Sequence, residues 1–288
     1  MRGVGGLGAL TEEKLRELLS EDLGYGDITS EALIDVGRRA KAVLYFKEEG
    51  VTAGLVEAAA IFNRLGCDVS LLKADGKLVP PGTPLIEAEG PAKALLSGER
   101  AALNLVGRMA GIATATAATV SRAREINPDI RVAATRKTAP GLRALDKRAV
   151  ELGGGDPHRF RLDDCVLIKD NHLNFGLTMR EAVERVRRGV SFTKKVEVEV
   201  RTSEEAVEAA KAGADTIMFD NMPPAKIRDC LSALGKKGLK EGRLFEASGN
   251  ITPENIVEYA ATGVDIVSMG CLTHSARSLN VKLEIEPT

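Results

Sequence analysis

The sequence predicts an α/β fold: an irregular, incomplete α/β barrel over residues 105–274, a small N-terminal α+β unit over residues 1–104, and a tail, residues 275–288, that joins that unit. Beyond residue 128, six apolar runs of strand length recur with helix-like segments between most of them, the pattern of a parallel sheet with helical crossovers. From residue 40 to residue 90 the chain instead alternates short strand-like stretches and turns around one helix, which makes a small α+β unit. The tail RSLNVKLEIEP (277–287) alternates apolar and charged residues like a half-exposed strand, and, with no helix after it, it returns to that unit.

In chain order, Thr11 is an N-cap for a helix through LTEEKLRELLSED, with Glu12 and Glu13 in the first turn, where the helix dipole favours anions. LGYGDITS, two glycines and an acid, reads as a turn. KAVLYFKE is a strand, GLVEAAAIFNRLG a helix, and CDVSLLKADGKLVPPGTPLIEAEG a set of short strands and turns. Residues 97–125 are dense in Ala and Gly and form one or two helices linking the domains; small side chains permit close packing, while Gly107 and Gly111 weaken the helix locally. With Ser97 or Gly98 as the cap, Arg100 falls in the first turn, where a cation opposes the dipole; it pairs with Glu99 or another acid, or holds an anion jointly with the helix end.

The six later runs are IRVAAT (130–135), CVLIK (165–169), VEVEV (196–200), TIMFD (216–220), LFEAS (244–248) and DIVSMG (265–270). TMREAVERVRR, TSEEAVEAAKAGA, PPAKIRDCLSALGKK and TPENIVEYAATGV are the helices between them. The helices share a length and the strands carry no edge signals, which favours closure over an open doubly wound sheet; about 140 residues is short for eight βα units, so the barrel is incomplete.

Composition narrows the function classes. With 288 residues the chain can bury a full core. The net charge of -1 gives no overall pull toward nucleic acid or an anionic membrane, so any concentrated positive charge is local. Cys67, Cys165, Cys230 and Cys271 are too far apart for a metal motif and suit small buried hydrophobes in a reduced compartment. MRGVGGLGALTEEK lacks the apolar core of a signal peptide, and no stretch approaches the roughly 20 apolar residues of a membrane helix, which makes the cytoplasm the expected location. Gln and Trp are absent while Glu, Lys and Arg abound, a balance found in some thermophile proteins.

In a βα barrel the working residues lie at the C-terminal ends of the strands. Those ends read Thr135-Arg136-Lys137, Lys169-Asp170-Asn171, Glu199, Asp220-Asn221, Ser248-Gly249-Asn250 and Ser268-Met269-Gly270. One polar strand end is unremarkable, since loop starts are commonly polar; six on one rim point to an active site. His158 and Arg159 join it from the loop after the first strand, and the pocket suits a substrate with several anionic groups, with Glu199 and Asp220 left for a metal or a developing cation. Glycines of S-G-N and S-M-G beside helix starts would let backbone N–H groups close on a phosphate. The glycines of ELGGGDPHR follow a helix rather than precede one, so they end it and turn the chain instead of cradling phosphate. His172 and His274 read as structural, and Arg161 has no assigned role.

EDLGYGDITS, TRKTAPGLR, KRAVELGGGDPHRFRLDDCVLIKDNH, VEVEV, IMFDNM, EASGNI and GVDIVSMGCLTHS, in that order over nearly the whole chain, resemble the quinolinate phosphoribosyltransferases, type II phosphoribosyltransferases also called nicotinate-nucleotide pyrophosphorylases. The resemblance implies an α/β sandwich with an irregular barrel, assembled as a homodimer or a hexamer of dimers, with each site completed by a neighbouring subunit. It implies that quinolinate and phosphoribosyl pyrophosphate, with Mg2+, yield nicotinate mononucleotide, pyrophosphate and CO2 on the route to NAD. Carried over by motif, Arg136, Lys137, His158, Arg159 and Lys169 hold carboxylates and nearby phosphate oxygens, Thr135 hydrogen-bonds a carboxylate, and Arg100 arrives from the partner subunit. Glu199 and Asp220 face the ribose and the metal, the latter directly or through water and substrate, and Ser248, Gly249, Asn250, Met269 and Gly270 grip the 5'-phosphate. Lys137, Glu199 and Asp220 are the expected catalytic residues. Ala134, Met269 and Cys271 depart from the family pattern without removing a charged site residue.

Such residues can support the reaction. Five cations, Arg100, Arg136, Lys137, Arg159 and Lys169, offset the repulsion between two polyanionic substrates. Glu199 and Asp220 stabilise positive charge on the ribose carbon, and Mg2+ neutralises the leaving group. Lys137 steadies the departing carboxylate or delivers a proton; His158 acts as an acid or, in the preferred reading, as a hydrogen-bond donor. The rival readings are a same-fold transferase acting on nicotinate, a Schiff-base aldolase using Lys169, and a non-catalytic binding protein.

Overall fold

The structure, a computed structural model, describes residues 10–288. The reading of MRGVGGLGA as lacking a leader core therefore lies outside the described residues. Among those residues no helix is long and apolar enough to cross a membrane. The chain divides into two compact units: one contains residues up to Ala117 with Pro140–Gly154 and Ala276–Thr288, the other Ala118–Ala139 and Gly155–Ser275.

The first unit begins with α1 (Glu12–Leu23), capped by the Thr11 hydroxyl, which accepts from the Lys14 N–H. The LGYGDITS turn ends sooner than its glycines suggest. Asp27 accepts the N–H groups of Thr29 and Ser30 and so starts a second helix, α2 (Ile28–Leu33). Then follow β1 (Arg39–Phe46), β2 (Gly50–Val51), α3 (Leu55–Arg64), β3 (Asp68–Leu71), β4 (Leu78–Val79) and β5 (Pro84–Pro91). The C-terminal strand pairs antiparallel with β1, as its alternation predicts, in a four-stranded sheet that continues through β5 to β3.

α4 (Ala92–Arg124) is one helix of 33 residues. It starts directly after β5, so neither Ser97 nor Gly98 caps it. Gly98 is interior because an added Cβ would lie 2.8 Å from Leu65 Cδ1 and 3.2 Å from the Phe62 ring. Gly107 meets the tail in the same way: a Cβ there would sit 3.1 Å from the Leu279 carbonyl oxygen. These glycines trade helix propensity for close packing. Arg100 consequently sits exposed in the third turn and opposes no dipole.

Residues 140–154 group with the first unit, and the division falls within α4 rather than at 104/105. The physical reason is a set of contacts made by α5 (Arg143–Leu152). The Arg108 guanidinium grips the fully buried Asp146 carboxylate through two 2.7 Å bonds, and Arg148 reaches Glu57 at 3.2 Å and Asp75 at 3.6 Å.

The second unit takes in the end of α4 from Ala118, then β6 (Arg131–Ala134) and, past α5, β7 (Val166–Ile168), α6 (Asp170–Leu173), α7 (Met179–Gly189), β8 (Val196–Val200), α8 (Ser203–Ala212), β9 (Thr216–Asp220), α9 (Pro224–Lys236), β10 (Leu244–Ser248), α10 (Ile256–Ala260), β11 (Ile266–Met269) and α11 (Cys271–His274); the tail strand, in the first unit, is β12 (Val281–Pro287). Its six strands are parallel in the order β6-β11-β10-β9-β8-β7, a ring with one link, β6 to β7, missing. Part of the free edge of β6 is covered by Asp156, whose N–H donates to the Val132 carbonyl at 2.8 Å and whose carbonyl accepts from Ala134 N–H at 2.9 Å. The barrel is thus incomplete at the place where the functional loop crosses.

Local chemistry accounts for the helices. A Thr178–Glu181 capping box starts α7, the Thr202 hydroxyl caps α8, and Pro224 opens α9. In β8 the valines join a core that includes Ala206, Ala209 and Ala210 of α8, so period-two alternation sends Glu197 and Glu199 to the opposite face, the barrel interior.

Candidate active site

The C-terminal ends of the barrel strands surround a cavity of about 700 Å3. Thr135, Arg136, Lys137, His158, Arg159, Lys169, Glu199, Asp220, Ser248, Gly249, Asn250 and Gly270 all line it. Two expected residues do not. Met269 is fully buried in the apolar core, because its side chain takes the alternate face from Ser268. Arg100 belongs to the first unit, where it lines a separate cavity of about 460 Å3.

Each wall is held by its own strand end. After β6, Thr135 Oγ1 accepts the Lys137 N–H at 3.2 Å, and Thr273 Oγ1 donates to the Lys137 carbonyl at 2.8 Å. After β7, Lys169 forms an ion pair with Glu199 of β8. His172 is structural, as expected: its Nδ1 accepts the Lys169 N–H at 2.9 Å and caps α6. After β9, Asp220 Oδ2 lies 3.2 Å from Arg201, which also bonds Asp170 at 2.8 Å, while Asp220 Oδ1 accepts from the Asn221 carboxamide at 2.9 Å.

Backbone strain concentrates here. Among the described residues, the non-glycine residues with left-handed φ are His158 (51°), Asn221 (53°) and Asn250 (52°), and all three line this cavity. Gly249, with φ of 100°, has no room for a side chain: a Cβ would lie 2.5 Å from Asn221 Cγ. At Gly270 a Cβ would lie 2.9 Å from the His274 ring and 3.2 Å from Lys137 Cδ. S-G-N does not open a helix directly, since α10 begins only at Ile256. Asn255 shapes the intervening turn by accepting the Thr252 N–H at 2.8 Å and donating to the Asn250 carbonyl at 3.2 Å.

Set into the cavity wall is a cluster built on two buried acids, Glu197 and Glu246, that the strand-end reading passes over. His158 Nε2 is 3.3 Å from Glu246 Oε2 and 3.6 Å from Glu197 Oε2, and Ser268 Oγ donates to Glu246 Oε1. The signal for both acids was present in the sequence: period two places Glu197 on the face of Glu199, and Glu246 on the face of Ser248. Burial opposes charge on the His158 ring, while hydrogen bonds and attraction from Glu197 and Glu246 favour it and raise its pKa. Glu197 is pushed up to about 7, by burial and then by the Glu246 charge. The Arg159 N–H lies 2.7 Å from His158 Nδ1 and can only donate, so in this arrangement Nδ1 is bare and the ring hydrogen is on Nε2. A second ring proton would break that bond, so the Arg159 N–H opposes the ring charge that the two glutamates favour.

Among the described residues, the group of His, Cys, Asp or Glu that converges closely enough to hold an ion through three of its members is this same cluster. Glu199 and Asp220, each paired with a cation, form no such cage. Two carboxylates do fit the manner in which Mg2+ is bound together with substrate phosphates. Arg161 does not line the cavity. Its N–H and that of Phe160 donate to Asp164, which shapes the preceding loop and holds the Asp164 carboxyl below its usual range.

The comparisons with known proteins agree with this geometry. Residues 27–110 match the quinolinate phosphoribosyl transferase N-terminal domain and residues 112–284 its C-terminal domain. The chain is 49% identical over 271 residues to a probable nicotinate-nucleotide pyrophosphorylase [carboxylating] of Methanothermobacter thermautotrophicus, covering 94% of this chain and 97% of that one. It is 39% identical to the human nicotinate-nucleotide pyrophosphorylase [carboxylating], covering 97% and 91%. The crystal structure of NadC from Streptococcus pyogenes superposes with a TM-score of 0.89 at 35% identity, covering 96% of each chain. With both domains matched and the strand-end residues gathered around one cavity, the chain belongs to the quinolinate phosphoribosyltransferase family.

Proposed function

We propose that the protein transfers the phosphoribosyl group of phosphoribosyl pyrophosphate to the ring nitrogen of quinolinate and decarboxylates the product, giving nicotinate mononucleotide, pyrophosphate and CO2 for NAD synthesis in the cytoplasm. The observation that carries this reading is the convergence of Arg136, Lys137, Arg159 and Lys169 with Glu199 and Asp220 around one cavity. Four cations suit a dicarboxylate beside a pyrophosphate, and arginine's planar fork matches carboxylate geometry. Ser248, Gly249, Asn250 and Gly270 offer small side chains and open backbone for the 5'-phosphate.

The ring nitrogen attacks the ribose carbon as the bond to pyrophosphate breaks, and the positive charge that builds there is stabilised by Glu199 and Asp220. Glu199 and Asp220 would hold Mg2+ together with the substrate phosphates, where it would neutralise charge on the leaving group. The nitrogen becomes quaternary and draws in the electron pair of the ring–carboxylate bond, so CO2 leaves and a proton takes its place on the ring. Lys137, exposed at the rim, steadies the departing carboxylate or delivers that proton. In this reading Arg100 completes the site of a neighbouring subunit in a homodimer or a hexamer of dimers. Lys169 is paired with the Glu199 carboxylate rather than set in an apolar pocket, which favours anion binding over Schiff-base chemistry.

The test is incubation with quinolinate, phosphoribosyl pyrophosphate and Mg2+, measuring CO2 and nicotinate mononucleotide. Stoichiometric release of both is expected. Turnover of nicotinate with no CO2 from quinolinate would overturn the assignment.

A further inference from the structure

His158 lies in the cavity wall, yet both of its ring nitrogens are already engaged by the protein. Nδ1 accepts the Arg159 N–H at 2.7 Å, and Nε2 faces the carboxylates of Glu246 and Glu197 at 3.3 and 3.6 Å. Glu246 is fully buried, Glu197 nearly so, and Ser268 holds the far oxygen of Glu246, so three strands, β8, β10 and β11, fix the ring from below. The His158 N–H donates to Asp156 Oδ1 at 2.7 Å, and Asp156 is itself bonded to the edge of β6. These bonds hold His158 at a φ of 51°, which a histidine seldom adopts unsupported.

The geometry points to His158 as a positioning residue rather than a substrate ligand: clamped through Nε2–H by the Glu246–Glu197 pair, it holds the Arg159 amide through Nδ1 and thereby sets where the Arg159 guanidinium meets a substrate carboxylate. This rests on the proposed function only in taking that carboxylate to belong to quinolinate. It also accounts for two acids buried beside an anion-binding cavity. One oxygen of each, Glu246 Oε2 and Glu197 Oε2, faces His158 Nε2.

Side-chain length separates the two roles. In His158→Asn the carboxamide oxygen replaces Nδ1 as the acceptor for the Arg159 N–H, and asparagine tolerates the left-handed backbone. In His158→Gln a donor reaches the glutamates but the acceptor near the backbone is gone. The expected result is a quinolinate KM raised less for Asn, which loses the glutamate clamp but keeps the acceptor, than for Gln, where it rises about ten- to a hundredfold, with the phosphoribosyl pyrophosphate KM little changed. In an Arg159→Ala background the Gln substitution should have no further effect on that KM. The reverse ranking, equal effects of Asn and Gln, or additivity with Arg159→Ala would overturn the inference.

A second readout is independent of turnover. With only three histidines in the chain, nitrogen-15 spectra of the wild-type imidazoles should show two rings with bare Nδ1 and protonated Nε2, those of His158 and His172, and the His158 signal should be the one lost in His158→Asn. Protonated Nδ1 on His158 would overturn the inference whatever the enzyme turns over. Failure of the wild type to release CO2 from quinolinate would count against the proposed function alone.

Discussion

Both oxygens of Asp220 are held by neighbours, Oδ2 by Arg201 at 3.2 Å and Oδ1 by the Asn221 carboxamide at 2.9 Å. Asn221 is held in turn by Asn250 at 3.0 Å, and its carboxamide fills the space that Gly249 leaves open. Asparagine suits both positions because its short polar side chain tolerates left-handed backbone. Gly249→Ala would put a methyl 2.5 Å from Asn221 Cγ at a φ of 100°, a strain of about 1–3 kcal/mol relieved by moving Asn221 away from Asp220. Steady-state kinetics should show kcat/KM for phosphoribosyl pyrophosphate reduced about tenfold or more. Wild-type kinetics in this variant would mean that the amide ladder does not bear on Asp220. The sequence marked Gly249, Asn250 and Asp220 as strand-end residues. The carboxamide that joins them comes from a residue beside one strand and fills a gap beside another, and no local pattern encodes that meeting.

At the scale of elements, the six parallel strands fall within a residue or two of the apolar runs, because a strand flanked by helices must be apolar on its outer face and its ends are marked by charge or glycine. Helices whose starts carry a Thr cap or a proline were equally legible. α4 was not: Ser97-Gly98 mimics a cap, but Gly98 is there to admit Phe62 and Leu65. The glycines after α5 show both uses at once. Gly153 ends the helix, and a Cβ on it would also lie 2.7 Å from Thr116 Cβ on α4, whereas Gly154, with φ of 81°, faces open space. Gly153→Ala should therefore lower stability by about 1–3 kcal/mol through overpacking. Gly154→Ala should cost about 1 kcal/mol of backbone strain. Thermal or denaturant melts of the two variants measure the difference, and equal losses would remove the packing role of Gly153.

For the whole molecule, the outstanding feature is that a site assembled in one unit lacks Arg100, which lines a cavity of the other. On the proposed shared site, Arg100→Ala and Lys137→Ala should each be inactive alone. Mixed subunits should regain roughly a quarter of wild-type turnover, since random pairing leaves one intact site in half of the dimers. No recovery after verified subunit exchange would place Arg100 outside its partner's site. The sequence by itself determined the order and type of the elements, the charged strand ends, and the family those motifs resemble, because hydrophobic period, turn chemistry and motif order are read along the chain. Only the tertiary structure decided that Glu197, Glu246 and Ser268 meet beneath His158, that Met269 turns into the core, and that Asp156 rather than β7 pairs with β6. Those outcomes depend on strand stagger and on where the ring stays open, which bring together residues from 133 to 268 that no local stretch of sequence contains.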